Sequence, residues 1–116
     1  MVSLFYIHFN EAELAERLKL LTGTELQLSG HWSTEKVAKF TDGLPDIFVV
    51  SLDRLPSHGR QYVRWLWEAK KRQGIPVIFV DGKPDKVDAT KATFPNALYC
   101  SSAQLPGIIK GLLKKS

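Results

Sequence analysis

The sequence predicts a three-layer α/β domain, a five-stranded parallel sheet covered by helices on both faces. Three observations predict it. Short runs rich in Val, Ile, Phe and Leu alternate with longer stretches of helical spacing from one end of the chain to the other. The two strongest runs, residues 47–50 and 75–80, are almost wholly apolar, as strands buried on both faces are. Residues 25–29 instead alternate with period two, the pattern of a half-exposed strand at a sheet edge.

Residues 3–9 are the first expected strand. Asn10 follows as an N-cap, with Glu13 three residues on in the spacing of a capping box. Leu14, Leu18 and Leu21 repeat at i, i+4, i+7 and give the first helix one buried stripe, which Gly23 closes. After the edge strand of 25–29, Gly30-His-Trp32 is a connection and Ser33 caps a second helix. Val37, Phe40 and Leu44 supply its apolar face, and Gly43 and Pro45 stop it. The central strand of 47–50 comes next.

Residues 60–73 carry the strongest helical pattern, with Tyr62, Val63, Leu66 and Ala69 inward and Gly74 at the end. Residues 75–80 form another buried strand with Pro76 at its start, where a missing N–H is tolerated. Asp81-Gly-Lys-Pro84 is a turn, and Pro84 opens a fourth helix running to about Thr93 on a poor stripe of Val87, Lys91 and Phe94. Pro95-Asn96 breaks it. Residues 97–100 are a short fifth strand. Ser101 or Ser102 caps a last helix carrying Leu105, Ile108, Ile109 and Leu112, and Lys114 and Lys115 suit its dipole. Five strands alternating with five helices imply right-handed crossovers. The flavodoxin-like (βα)5 order 2-1-3-4-5 puts the most apolar strands inside and the alternating one at an edge.

At 116 residues the chain is expected to be one domain spanning 1–116, and no linker, repeat or low-complexity segment interrupts it. It starts at Met1 with no basic leader, so it is read as standing alone and unsecreted. No apolar run approaches a membrane span, which excludes a membrane partner by that route. The single cysteine, Cys100, has no internal partner, so a reducing, cytoplasmic location is expected. A net charge of +4 would favour an acidic partner only if it were clustered.

Polar residues crowd the carboxyl ends of the expected strands, where open α/β sheets bind ligands. His8 and Asn10 follow the first strand. Ser51, Asp53, Arg54, Ser57, His58 and Arg60 follow the third, and Asp81 and Lys83 the fourth. His8, His31 and His58 with Asp53 and Asp81 are metal-ligand types, but no spacing such as His-x3-His supports a metal, and none is expected. His58, Asp53 and Ser57 or Ser51 can be written as a hydrolytic triad, yet no G-x-S-x-G is present, and Ser57 and His58 suit a helix cap better. Arg54, Arg60 and a helix start beside Gly59, with Lys83 from the next loop, would suit a small anion. Without a G-x-G-x-x-G or Walker A sequence no nucleotide or other cofactor is implied. Glu68 stands four residues from both Arg64 and Arg72, the mark of an internally paired helix face, which disfavours nucleic acid. Arg64, Trp65 and Trp67 on that helix are candidates for docking a protein partner or a second copy.

Pro45-Asp-Ile-Phe-Val-Val-Ser-Leu, with Leu55-Pro56 following, resembles the third strand, acceptor region and Leu-Pro of bacterial response-regulator receiver domains. The resemblance covers nearly the whole chain through strand pattern and length. It implies a receiver-like signalling role and places the phosphoacceptor position on Ser51, or on Asp53 only if the extra residue before Leu55-Pro56 is absorbed by a shift. The acidic pair that binds magnesium falls on the stretch from His8 to Glu11, which has one carboxylate. The Ser/Thr ending the fourth strand falls on Asp81, followed by Gly82, and no lysine stands near Ser101 and Ser102. Aspartyl phosphorylation needs a carboxylate, a divalent cation and a lysine for the product. The resemblance therefore implies a degenerate, pseudo-receiver module that binds a protein partner without an enzymatic step. The alternative is a small hydrolase or phosphoryl-transfer enzyme using Asp53, His58 and Arg60.

Overall fold

The structure, a computed structural model, describes residues 2–22, 26–36, 40, 43–53 and 55–114. Its strands are β1 (Val2–Ile7), β2 (Leu26–His31), β3 (Ile47–Ser51), β4 (Val77–Val80) and β5 (Leu98–Cys100). They form one parallel sheet in the order β2-β1-β3-β4-β5, the order expected from the sequence. The cause is visible in burial: every residue of β3 and β4 is buried, whereas β2 leaves Gln27, Ser29 and Gly30 exposed at the edge.

The helices are α1 (Glu11–Lys19), α2 (Pro56–Glu68), α3 (Pro84–Thr93) and α4 (Leu105–Lys114). Side chains alternate across a strand, and β1 sorts the two cores accordingly. Phe5 and Ile7 face Val63 and Leu66 of α2 and Val87 of α3, while Leu4 and Tyr6 face Leu14 of α1 and Leu105 and Ile109 of α4.

Five helices were expected and four α-helices are found among the described residues. In the stretch expected to be the second helix, residues 33–36 bend. Ser33 Oγ accepts from the backbone N–H groups of Glu35 (3.1 Å) and Lys36 (3.3 Å), the contacts a capping serine makes, and residues 37–39, 41 and 42 of the expected helix lie outside the described residues. Phe40 packs as an aromatic plug against Phe5 and Phe48, and Leu44 is exposed. Gly23, Val37, Arg54 and Lys115 lie outside the described residues.

The helix after the polar loop starts four residues before its expected position. Pro56 takes the first position, where its missing N–H costs nothing. Ser57 and His58 are thus inside α2 rather than capping it. The N-cap is Leu55, with no side-chain cap bond, and its carbonyl accepts from His58 N (3.0 Å) and Gly59 N (3.4 Å). At the other end α2 stops at Glu68, before the expected Gln73, and a short 3-10 turn (Lys70–Arg72) follows. Arg72 folds back and donates to Trp65 O (2.8 Å) and Leu66 O (3.0 Å), satisfying terminal carbonyls. At α4 the expected Ser101 cap is a reciprocal pair: Gln104 N donates to Ser101 Oγ (3.2 Å) and Ser101 N to Gln104 Oε1 (3.0 Å). Ile108, expected inside, is exposed, since Leu105 and Ile109 already fill the contact with the sheet.

Candidate functional site

The carboxyl ends of β3 and β4 bring Asp53 and Asp81 to a common cation, Arg17 of α1. Arg17 Nη2 lies 3.8 Å from Asp53 Oδ2 and 3.8 Å from Asp81 Oδ2. Each carboxylate is held by its other oxygen. Gly82 N donates to Asp53 Oδ1 (3.0 Å) and Ser102 N to Asp81 Oδ1 (2.9 Å). Asp53 N in turn donates to Ser51 Oγ (3.2 Å), and Ser51 is fully buried. The turn after β4 is built for this approach. Asp81 adopts φ +59 and Gly82 φ +95, and a Cβ at Gly82 would sit 2.5 Å from Leu52 Cβ.

Beneath this cluster lies Tyr6, fully buried, its hydroxyl without a hydrogen-bond partner among the described residues. Burial pushes the phenol well above its usual range. Arg17 opposes the shift, and Asp81, Cys100 and Asp53 add to it. Burial and Asp81 likewise push up the Cys100 thiol. Arg17 Nε and Asp81 Oδ2 are also buried without hydrogen bonds among the described residues. The 3.8 Å approach of Arg17 Nη2 to Asp81 Oδ2 is an ion pair and too long for a hydrogen bond.

His8 is not presented at the rim. It is fully buried, and its Nε2 meets Glu13 Oε1 at 2.7 Å, which places the ring proton on Nε2. Asn10 caps α1 as expected, its Oδ1 accepting from Glu13 N (3.0 Å). The Glu13 carboxylate reaches His8 Nε2, and Asn10 N donates to His8 O (2.8 Å).

The remaining rim residues divide. His58 is exposed and packs edge-on to Phe9 at 5.7 Å; Phe9 also meets His31, whose Nε2 lies 3.4 Å from Tyr62 Oη. Arg60 turns away and donates to Thr90 Oγ1 (3.3 Å), a buried hydroxyl that itself donates to Lys86 O (2.7 Å). Asp53, His58 and Arg60 therefore make no hydrogen bond or ion pair with one another. Ser57 is exposed in the first turn of α2, and Lys83 is exposed at the start of α3 with no side-chain cap bond. No three His, Cys, Asp or Glu side chains among the described residues are grouped to hold a metal ion. No helix among those residues is long and apolar enough to cross a membrane.

On the outer face of α2, Arg64 is exposed. Trp65 is sandwiched between Phe40, stacked at 5.5 Å, and the Arg72 guanidinium, 4.3 Å from the ring. Trp67 faces inward and donates to Ile75 O (3.1 Å).

Two solved structures share this architecture. RcpA, a phosphorylated cyanobacterial phytochrome response regulator, is 16% identical, with a TM-score of 0.69 over 96% of this chain and 90% of its own. RtBRR, a bacteriophytochrome response regulator, is 12% identical, with a TM-score of 0.66 over 87% of this chain and 69% of its own. The fold is that of response-regulator receivers. No family model and no curated protein matches the sequence.

Within the receiver-like fold, the strand-end position of β3 belongs to Ser51 and that of β4 is followed directly by Asp81. Two residues of the rim were not singled out in the sequence. Arg17 stands three residues after Leu14 and four before Leu21, a charge at the border of an apolar stripe, and that placement was its signal. Trp32 reads as a connection in the sequence, and is 46% exposed on the rim.

Proposed function

We propose that this chain is a receiver-like signalling module that acts by contact with a protein partner and does not use aspartyl phosphorylation. The observation that carries the proposal is the Arg17 guanidinium between Asp53 and Asp81. Transfer of a phosphoryl group to an aspartate requires a free carboxylate oxygen and a cation to neutralise the incoming oxygens. Here Ser51 offers no carboxylate, and of the Asp53 oxygens one accepts from Gly82 N while the other faces a guanidinium of the chain itself, Arg17, at 3.8 Å. One guanidinium from within the chain offsets half the charge of the two rim carboxylates. The solved neighbours support the signalling part through shared fold alone.

The test is a 1H–15N spectrum of the protein titrated with beryllofluoride and Mg2+, beside Asp53→Asn. The expected result is no shift at Ser51, Asp53 or Gly82 in either protein. Mg2+-dependent shifts at those amides that vanish in Asp53→Asn would replace this reading with a phosphoacceptor at Asp53.

A further inference from the structure

The rim carries a second feature that the charge cluster does not use. A groove of about 660 Å³ opens between the β1–α1 junction, the segment after β2 and the start of α2. That volume falls in the roughly 300–1,000 Å³ range of ligand sites. Phe9, Trp32 and Leu55 line it with apolar surface, and Trp32 and Leu55 are 46% and 44% exposed. Large apolar side chains left this open beside one groove are what an interface covers.

Two features set Trp32 and Leu55 apart from the chain's other exposed apolar groups. The rings of Trp65 and Trp67 meet Phe40, Arg72, Phe94 and Ile75 O, and Trp32 is the most exposed of the three tryptophans. Leu55 holds φ +46, ψ +60, a left-handed conformation that costs a branched residue about 1–2 kcal/mol. Such strain collects at binding sites. The walls are also set in advance. Phe9 is packed edge-on by His31 and His58, Asn10 caps α1, and the Ser33 turn fixes the backbone of Glu35 and Lys36. A preformed groove loses little entropy on binding.

Charge decides the occupant. Among the described residues, Glu11 and Glu35 line the groove against one ammonium, Lys36. An acidic-edged apolar groove selects a basic ligand and disfavours pairing with the same acidic edge of a second copy. We infer that this groove docks a basic peptide segment of a partner protein, with one large apolar side chain seated between Phe9, Trp32 and Leu55. The inference rests on the partner-binding reading above and names the partner's chemistry.

The test uses three labelled synthetic heptapeptides and fluorescence polarisation. One has a central tryptophan flanked by arginines, one the same anchor flanked by glutamates, and one the arginines around a central glycine. The arginine–tryptophan peptide is expected to bind saturably, about ten-fold or more tighter than either of the others. Trp32→Ala should weaken it about ten-fold, and Glu11→Gln with Glu35→Lys should reverse the preference towards the glutamate peptide. Equal binding of basic and acidic peptides, indifference to Trp32→Ala, or no saturable binding at millimolar peptide overturns the assignment. Any of these leaves the beryllofluoride result untouched, and a phosphoacceptor at Asp53 would leave the peptide result untouched, so the two readings fail separately.

Discussion

Arg17 Nη2 stands 3.8 Å from Asp81 Oδ2, and the same guanidinium nitrogen stands 3.8 Å from Asp53 Oδ2. One cation from α1 thus ties together the loops that follow β3 and β4. The side chains of Arg17 and Asp81 are 24% and 17% exposed and that of Asp53 40%, so solvent screens the cluster only in part.

Removing the cation should therefore cost more than breaking a surface pair and less than breaking a buried one. Exposed pairs are worth about 0–1 kcal/mol and an orphaned buried charge about 3–5 kcal/mol. Arg17→Met is expected to lose about 1–2 kcal/mol in urea unfolding at neutral pH. Adding Asp81→Asn should recover part of that loss, because the second carboxylate no longer faces Asp53 unpaired. Strict additivity of the two changes would show that Arg17 and Asp81 are not coupled.

The buried tyrosines set the alkaline limit. Tyr6 is held above its ordinary value near 10, chiefly by burial, and burial pushes Tyr99 up to about 12. In each case the folded state keeps a proton that the unfolded chain gives up. Stability from this source is full below pH 10 and falls as the pH climbs past it. Tyr6→Phe should flatten that fall, leaving the share due to Tyr99. Near pH 7 the substitution should be neutral or slightly stabilising, by about 0–1 kcal/mol, since it removes a buried hydroxyl that has no partner among the described residues. An alkaline limb as steep in Tyr6→Phe as in the parent would rule Tyr6 out as its source.

The sheet order was legible because burial on two faces writes itself as continuous apolar runs, and an edge strand writes itself as alternation. Around Phe40 the spacing of Val37, Phe40 and Leu44 is helical and Ser33 Oγ meets the N–H groups of Glu35 and Lys36 as a capping serine does, but residues 37–39, 41 and 42 lie outside the described residues. The rim was legible as a place and illegible as an arrangement. Asp53 and Asp81 were recognisable as strand-end carboxylates, but the cation between them lies thirty-six and sixty-four residues away in sequence, at Arg17. His8 and Arg60 looked like rim groups, and each is bound instead to a helix side chain, Glu13 and Thr90, that no local pattern links to it.

Gly59 offers a test of how closely α2 packs on the sheet. In a helix interior alanine usually gains about 1 kcal/mol over glycine. At this position a Cβ would lie 2.4 Å from Val50 Cγ1, a stiff core side chain on β3 that cannot swing aside. Gly59→Ala is therefore expected to destabilise by about 1–3 kcal/mol. Combined with Val50→Ala, which makes room, the total loss should be smaller than the sum of the single losses, measured by the urea midpoint at constant slope. A stabilising Gly59→Ala would mean that α2 sits farther from β3 than this contact requires.

Leu55 separates stability from binding. Glycine carries no Cβ and adopts φ near +46 freely, so Leu55→Gly relieves about 1–2 kcal/mol of conformational strain against about 0.5–1 kcal/mol of lost chain entropy. The side chain is 44% exposed and contributes little burial to offset this. The variant is expected to unfold at the same temperature as the parent or a few degrees higher, and to bind the arginine–tryptophan peptide more weakly because one wall of the groove has gone. A marked fall in Tm would instead show that the leucine is held left-handed by packing it contributes to the folded core, and its exposure at the groove would need no partner to explain it.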